Sequence, residues 1–245
     1  NFVLRLFSEN RKFDIESGLG FSKKLISPIK NILKKQSGLF LVTGPTGSGK
    51  TTTLYGFMNW IVNQEKKHII SIEDPVEALI PGVQQSQIHD GFGFSDALKS
   101  ILRQDPDVII LGEIRDASTA KIAIEAAYTG HLVFATLHTS SCWSAMSRLK
   151  SFGLDLFLVN HCLLGVLSQQ LVQLKCSCGT GCEKCEFSTI KKRYPIHELL
   201  ILNHMDFKQT WMDESAFDSH FFHRFKDDIT LKKLGKELNT DIQFD

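Results

Sequence analysis

Gly44, Pro45, Thr46, Gly47, Ser48, Gly49, Lys50 and Thr51 follow the pattern G-x-x-x-x-G-K-[ST]. The pattern has a physical basis. Glycines let consecutive backbone N–H groups turn inward around phosphate oxygens. A helix that opens at Lys50 adds the partial positive charge of its N-terminus. Lys50 is long enough to reach β- and γ-phosphates, and the Thr51 hydroxyl can ligate Mg²⁺. Thr52 comes directly after and belongs with the loop. The chemistry expected here is binding of ATP with Mg²⁺.

Three further groups of residues bear on the fate of the bound nucleotide. The segment Asp107-Val-Ile-Ile-Leu-Gly-Glu113 reads as a buried strand ending in an acid. A carboxylate at that place, beside the γ-phosphate, can help to hold Mg²⁺ or orient an attacking water, which makes Glu113 a candidate catalytic acid. Ile72-Glu-Asp-Pro-Val-Glu77 places Glu73, Asp74 and Glu77 just past another strand. They are either a base near the metal or a solvated acidic turn, since Asp-Pro is a turn signal. His131 and His138 flank a fourth strand-like run, and each is either a phosphate contact or an internally satisfied polar group.

The cysteines read differently. Cys176, Cys178, Cys182 and Cys185 place four thiolates within ten residues, a density that suits a structural Zn²⁺ site. The last pair has a normal knuckle spacing, whereas Cys-x-Cys is tighter than usual. Cys142 and Cys162 stand apart and read as buried thiols.

The elements that must position these residues alternate. Leu39–Thr43, His68–Ile72, Val108–Leu111 and His131–Thr136 are short, apolar and rich in Val and Ile, as central strands buried on both faces are. Between them, Ser22–Gln36, Lys50–Gln64, Ser95–Gln104, Ala117–Tyr128 and Ser141–Ser151 have helical spacing. Alternation of this kind predicts a doubly wound, mostly parallel α/β sheet. The ATPase core is expected over residues 21–172, preceded by a linker at 1–20. A cysteine metal module at 173–200 and a tail at 201–245 should come after it, the tail with short helices at Glu214–Phe225 and Thr230–Leu238.

Composition fits a globular chain: 42% of residues are hydrophobic and 22% charged. The formal net charge of +1 gives no global reason to seek nucleic acid. The most apolar stretch, Leu154–Val172, is interrupted by Asp155, Asn160 and His161, so no membrane-spanning helix is expected. The chain begins at Asn1 without a signal peptide and reads as a piece of a longer protein.

In combination, four segments resemble the secretion ATPase family, the motor ATPases of type II secretion and type IV pilus systems. Gly44–Tyr55 resembles the family's Walker A segment, and Ile72–Glu77 its aspartate box. Leu102–Asp116 resembles its Walker B segment, where Gly before the Glu is normal, and Thr129–Thr139 its histidine box. The resemblance implies a RecA-type P-loop core. It further implies Glu113 as the catalytic acid and Glu73 as the water-activating carboxylate, with Asp74 and Glu77 supporting. His131 and His138 would contact the γ-phosphate, and Arg103 and Arg115 match family arginines near a subunit boundary. It also implies a ring, usually hexameric, on the cytoplasmic face of the inner membrane. There the ring would act on a membrane platform protein. Cysteines after Ser168-Gln-Gln-Leu171, followed by Arg193-Tyr-Pro-Ile-His-Glu198, resemble secretion and pilus-extension motors; retraction motors lack that module.

Some features depart from the family. Gln170 stands where Arg is usual, the excursion between the cysteine pairs is short, and the tail matches poorly. Val3–Phe7 resembles the last strand of an upstream domain whose arginines would complete the site. The alternatives are a retraction motor, a nucleic-acid translocase on the same core, and a nucleotide-binding scaffold that does not hydrolyse. Interleaved basic and aromatic runs, which would favour the translocase, are missing.

Overall fold

The computed structural model describes residues 13–175 and 190–202. Cys176, Cys178, Cys182, Cys185 and the expected tail helices lie outside these residues. The described chain runs α1 (Lys23–Leu33), β1 (Gly38–Thr43), α2 (Lys50–Gln64), β2 (Ile69–Glu73), β3 (Val83–Gln87), α3 (Phe94–Ile101) and β4 (Val108–Leu111). It continues through α4 (Ala117–Tyr128), β5 (Leu132–Leu137), α5 (Cys142–Ser151), α6 (Leu156–Cys162), β6 (Leu163–Lys175) and β7 (Ile190–Ile201).

One seven-stranded sheet takes the order β3-β2-β4-β5-β1-β6-β7. Every pairing is parallel except that of β6 with β7, which is antiparallel. Every residue of β1, β2, β4 and β5 is buried. The pleat divides them between two cores. Phe40 and Val42 of β1, Ile110 of β4 and Phe134 of β5 face α1 and α2; Leu39, Leu41, Ile109 and Val133 face α3, α4, α5 and α6. Each such side chain contributes roughly 1.5–3 kcal/mol by leaving water, so the central strands carry much of the stability. On the first face Phe57 of α2 closes a ring cluster with Phe40 and Phe134, at centroid separations of 6.2 and 5.5 Å.

The four central strands and five longer helices fall where the hydrophobic pattern predicts. Four elements, β3, α6, β6 and β7, do not. β3 reads Val-Gln-Gln-Ser-Gln and is only half buried, because it is the sheet's edge and packs one face. β7 contains Pro195, which cannot donate to a ladder and is tolerated at the opposite edge. α6 is a seven-residue turn of helix started by the Asp155 carboxylate, which accepts the Phe157 N–H. The boundary expected at residue 172 falls inside β6, and residues 190–201 of the expected module form β7 of the same sheet.

β7 brings one titratable group into the core. His197 is buried against the Phe21 ring at 4.6 Å, and its Nε2 has no partner among the described residues. Burial lowers its pKa to about 4. Between pH 6.5 and about 4 the unfolded chain takes up a proton that the folded chain refuses. Stability is therefore full above that window and falls as pH drops through it. Denaturant titrations at pH 7 and pH 4.5 should show wild type losing more stability than His197→Leu, by about 3 kcal/mol at most.

Candidate active site

Because β1, β2, β4 and β5 are parallel, the segments that leave their C-terminal ends gather at one edge of the sheet. A cleft of about 620 Å³ opens there. Its walls include Thr46, Gly47, Gly49, Lys50, Thr51 and Thr52 from the loop after β1, and Glu73, Asp74 and Glu77 after β2. Glu113 and Arg115 lie just after β4, and His138 just after β5. Four separate stretches of sequence thus converge on one concavity whose size suits a nucleotide.

The loop between β1 and α2 keeps its shape for steric reasons. Gly44 has φ +153°, and a Cβ there would lie 2.2 Å from the main-chain oxygen of Gln169. Gly49 caps α2 at φ 91°, in the left-handed region that favours glycine. The helix N-terminus therefore begins at Lys50 and points its free N–H groups at the cleft. Lys50 is 8% exposed, and its Nζ donates to the carbonyls of Gly44 and Pro45, each at 2.9 Å. Burial pulls its pKa below the ordinary lysine value, and the charge of Glu113 opposes that shift.

A polar chain crosses the cleft from this lysine. Lys50 Nζ lies 3.4 Å from His138 Nδ1, and His138 Nε2 lies 3.3 Å from Glu113 Oε1. Glu113 also accepts a hydrogen bond from Arg115 Nε at 2.8 Å, and Arg115 Nη2 donates to Asp74 at 3.1 Å. These hydrogen bonds, led by that to Glu113, raise the Arg115 pKa above its ordinary value. The guanidinium sits 5.6 Å from the Phe94 ring centroid, a cation–π contact.

Neighbouring backbone fixes the acid and the histidine. Gly112 donates its N–H to Ile72 O at 2.7 Å, and a Cβ there would crowd that oxygen at 3.1 Å. Glycine before Glu113 thus lets β4 end close against β2. The Gly112 carbonyl accepts from the Thr136 hydroxyl, and Ile114 N–H donates to Thr136 O at 2.9 Å. Thr43 at the end of β1 donates to Thr139 O at 2.8 Å and accepts the Thr139 N–H at 3.1 Å, which ties down the stretch holding His138.

Glu73 occupies a different setting. It is 4% exposed, at the last residue of β2. Its carboxylate accepts from the Tyr55 hydroxyl, from Ser71 Oγ at 2.5 Å and from Gln85 Nε2 at 3.0 Å. Burial and the bond to Glu73 raise the Tyr55 pKa, so the phenol stays a donor. The same phenol oxygen accepts the N–H groups of Glu77 at 2.8 Å and Ala78 at 3.2 Å. The residue pattern alone pointed to none of Tyr55, Ser71, Gln85, Thr136 or Gln169. For Ser71, Thr136 and Gln169 the sequence signal is polar character inside a largely apolar strand, and Gln85 lies in the polar strand β3, where it does not stand out.

One expected residue does not reach the cleft within this chain. His131 precedes β5 at the far end of the sheet, where its Nδ1 lies 3.0 Å from Ala126 O and its carbonyl accepts the Gly38 N–H. A six-residue strand, roughly 20 Å long, separates it from His138. The expectation of a γ-phosphate contact for His131 is corrected on that ground. Arg103 is exposed on the turn after α3.

Four carboxylates stand in the walls against the fixed charges of Lys50 and Arg115. A triphosphate entering there needs a divalent cation to offset repulsion, and Thr51 at the first turn of α2 is placed to share one. No three His, Cys, Asp or Glu side chains among the described residues gather closely enough to hold a metal alone. A Mg²⁺ ion would therefore take most of its ligands from phosphate and water.

Residues 1–237 match the family described as Type II/IV secretion system protein. Type II secretion system protein E of Dickeya dadantii is 42% identical over 229 residues, which cover 82% of this chain and 46% of that protein. The type IV pilus assembly ATPase PilB of Thermus thermophilus is 41% identical, over 82% of this chain and 26% of that protein. The chain spans about half, or less, of the curated relatives it matches. Among solved structures, the Legionella pneumophila ATPase DotB superposes with a TM-score of 0.69 at 25% identity, over 83% of this chain and 56% of that one. The pilus retraction motor PilT with bound ADP superposes with a TM-score of 0.68 at 30% identity, over 93% and 67%. With a mostly parallel α/β sheet and a phosphate loop facing two acids across one cleft, the chain belongs to the type II/IV secretion system protein family.

Proposed function

We propose that this chain is the ATP-hydrolysing part of a motor that powers type II secretion or type IV pilus (pseudopilus) assembly. The observation that carries the reading is the convergence of Lys50, His138, Glu113 and Arg115 on one cleft beneath a helix N-terminus. The loop N–H groups and Lys50 hold the β- and γ-phosphates. Thr51 would help to hold Mg²⁺, which would supply charge neutralisation at the transferring group. On entry of the phosphates, Lys50 exchanges its bonds to the Gly44 and Pro45 carbonyls for phosphate oxygens.

Two carboxylates can then orient the attacking water. Glu113 lines the cleft and shares its oxygens with His138 and Arg115. Glu73 already accepts three hydrogen bonds, which leaves about one of its four acceptor sites for water. A carboxylate so held cannot turn away from that water, and this suits Glu73 to polarise it while Glu113 orders the cleft around the γ-phosphate.

The relatives' names support secretion or pilus assembly; the further parts of this reading rest on the resemblance of the four sequence motifs to the family and on the cysteine spacing. The core is RecA-type, the protein works as a homo-oligomeric ring of six, and it lies at the cytoplasmic face of the inner membrane against a platform protein. No helix of the described residues is long and apolar enough to cross a membrane. Cys176, Cys178, Cys182 and Cys185 hold a structural Zn²⁺ in the segment that joins β6 to β7. A retraction motor is the second reading, favoured by the similarity to PilT; the higher identities to protein E and PilB weigh against it.

Turnover by the protein extended to the length of its relatives tests the core of this. Lys50→Ala should remove both nucleotide binding and hydrolysis. Glu113→Gln should bind ATP normally and lose about 100-fold or more in kcat, and Glu73→Gln should lose kcat with KM little changed. Unchanged turnover in both carboxamide variants would make the chain a nucleotide-binding scaffold. Elemental analysis of the reduced protein should find one zinc per chain, and well under one would remove the zinc site.

A further inference from the structure

We propose that Gln169 is a positioning residue for the phosphate loop, its side-chain amide fixing the stretch from Ser48 to Thr53 in phosphate-receiving shape. The proposal rests on the reading of that loop as the nucleotide site.

The sheet brings Gln169 to the loop. β6 runs beside β1 with Ser168 opposite Thr43, the last residue before Gly44. One residue further along β6, Gln169 lies alongside the loop, 3% exposed. Its main-chain oxygen occupies the space that a Cβ on Gly44 would fill. Its side chain reaches the loop's other end. Nε2 donates to the Ser48 carbonyl at 2.5 Å, and Oε1 accepts from the Thr53 hydroxyl at 2.7 Å. Ser48 and Thr53 are each 2% exposed, so water does not compete for either bond.

The four residues bracketed by those bonds are Gly49, Lys50, Thr51 and Thr52. They carry the left-handed helix cap, the phosphate-binding lysine and the hydroxyl placed to share Mg²⁺. A Cβ on Gly49 would stand 3.0 Å from Gln169 Nε2, so the amide also packs directly on the cap. The chemistry suits an amide. The Ser48 carbonyl can only accept, while the Thr53 hydroxyl is donating. One side chain must therefore present a donor and an acceptor side by side. An ionised carboxylate of the same length would turn an oxygen towards the Ser48 carbonyl and repel it. A protonated one could make both bonds. The next residue, Gln170, is half-buried, and its Nε2 donates to Ser140 O at 3.4 Å rather than to the phosphate loop.

Titration of the chain with Mg-ADP, with thermal melts taken without nucleotide, tests this. Gln169→Ala should weaken Mg-ADP binding by about tenfold, the equivalent of one to two buried hydrogen bonds. Gln170→Ala should bind as wild type. Gln169→Glu should bind poorly at pH 8 and recover as pH is lowered towards 5.5. Thr53→Val supplies a second test that leaves Gln169 in place. It should weaken binding, and combined with Gln169→Ala should weaken it by less than the sum of the two. A Kd within twofold of wild type for Gln169→Ala, Gln169→Glu at pH 8 and Thr53→Val, even with lowered melting temperatures, would overturn the proposal alone. No Mg-ADP binding by the wild-type chain would overturn the nucleotide reading and this proposal with it.

Discussion

The parallel pairing of β1 with β5, and of β5 with β4, is the constraint on which the site depends. Hydrogen-bonded register fixes where each strand ends, and parallel strands all end at the same edge. The loop with Lys50, the acid Glu113 and the imidazole of His138 leave three adjacent strands and face one another with no long connection to hold them. Buried Val, Ile, Leu and Phe on both faces make that register costly to alter, because a slip by one residue would send each side chain into the opposite core, where its volume does not match the packing.

Charged groups in such a place must be held, and two devices do so. Lys50 is desolvated but lies against two loop carbonyls, with Glu113 in range. Glu73 is buried deeper still and is surrounded by neutral donors rather than by a cation. The difference has a chemical reading. A lysine resting on carbonyls can leave them for phosphate at little net loss. A carboxylate gripped by three donors keeps its place through the whole cycle. Tyr55 extends that grip. By accepting N–H groups from Glu77 and Ala78 it ties the acidic turn after β2 to α2, the helix that begins at the phosphate loop.

The four central strands were legible because each is apolar on both faces, and the phosphate loop because its glycines answer to a steric need that few other turns have. Glu113 was legible only as the end of a strand lying downstream of that loop. What escaped did so for physical reasons. β3 is an edge strand whose glutamines face outwards or towards Glu73 and Gln104, so its pattern resembles a loop. Gln169 gains its meaning from a neighbour over a hundred residues away in sequence. His131 shares a segment with His138, and only the length of β5 shows that the two belong to opposite ends of the sheet.

β5 lies between the strand that carries the loop and the strand that carries Glu113. Two interstrand steps make the axes of those strands roughly 10 Å apart. Hydrogen bonds across β5 set that width, and it cannot be narrowed or widened without breaking them. The cleft is therefore a stiff jaw. If the chain hydrolyses ATP as proposed, tightening around a triphosphate and relaxing after its cleavage would come from parts mounted on the rim, such as the acidic turn after β2 and Arg115. In the proposed motor, stiffness of this kind would convert a local bond-breaking step into motion of the rim relative to the sheet, with little lost in deforming the sheet itself.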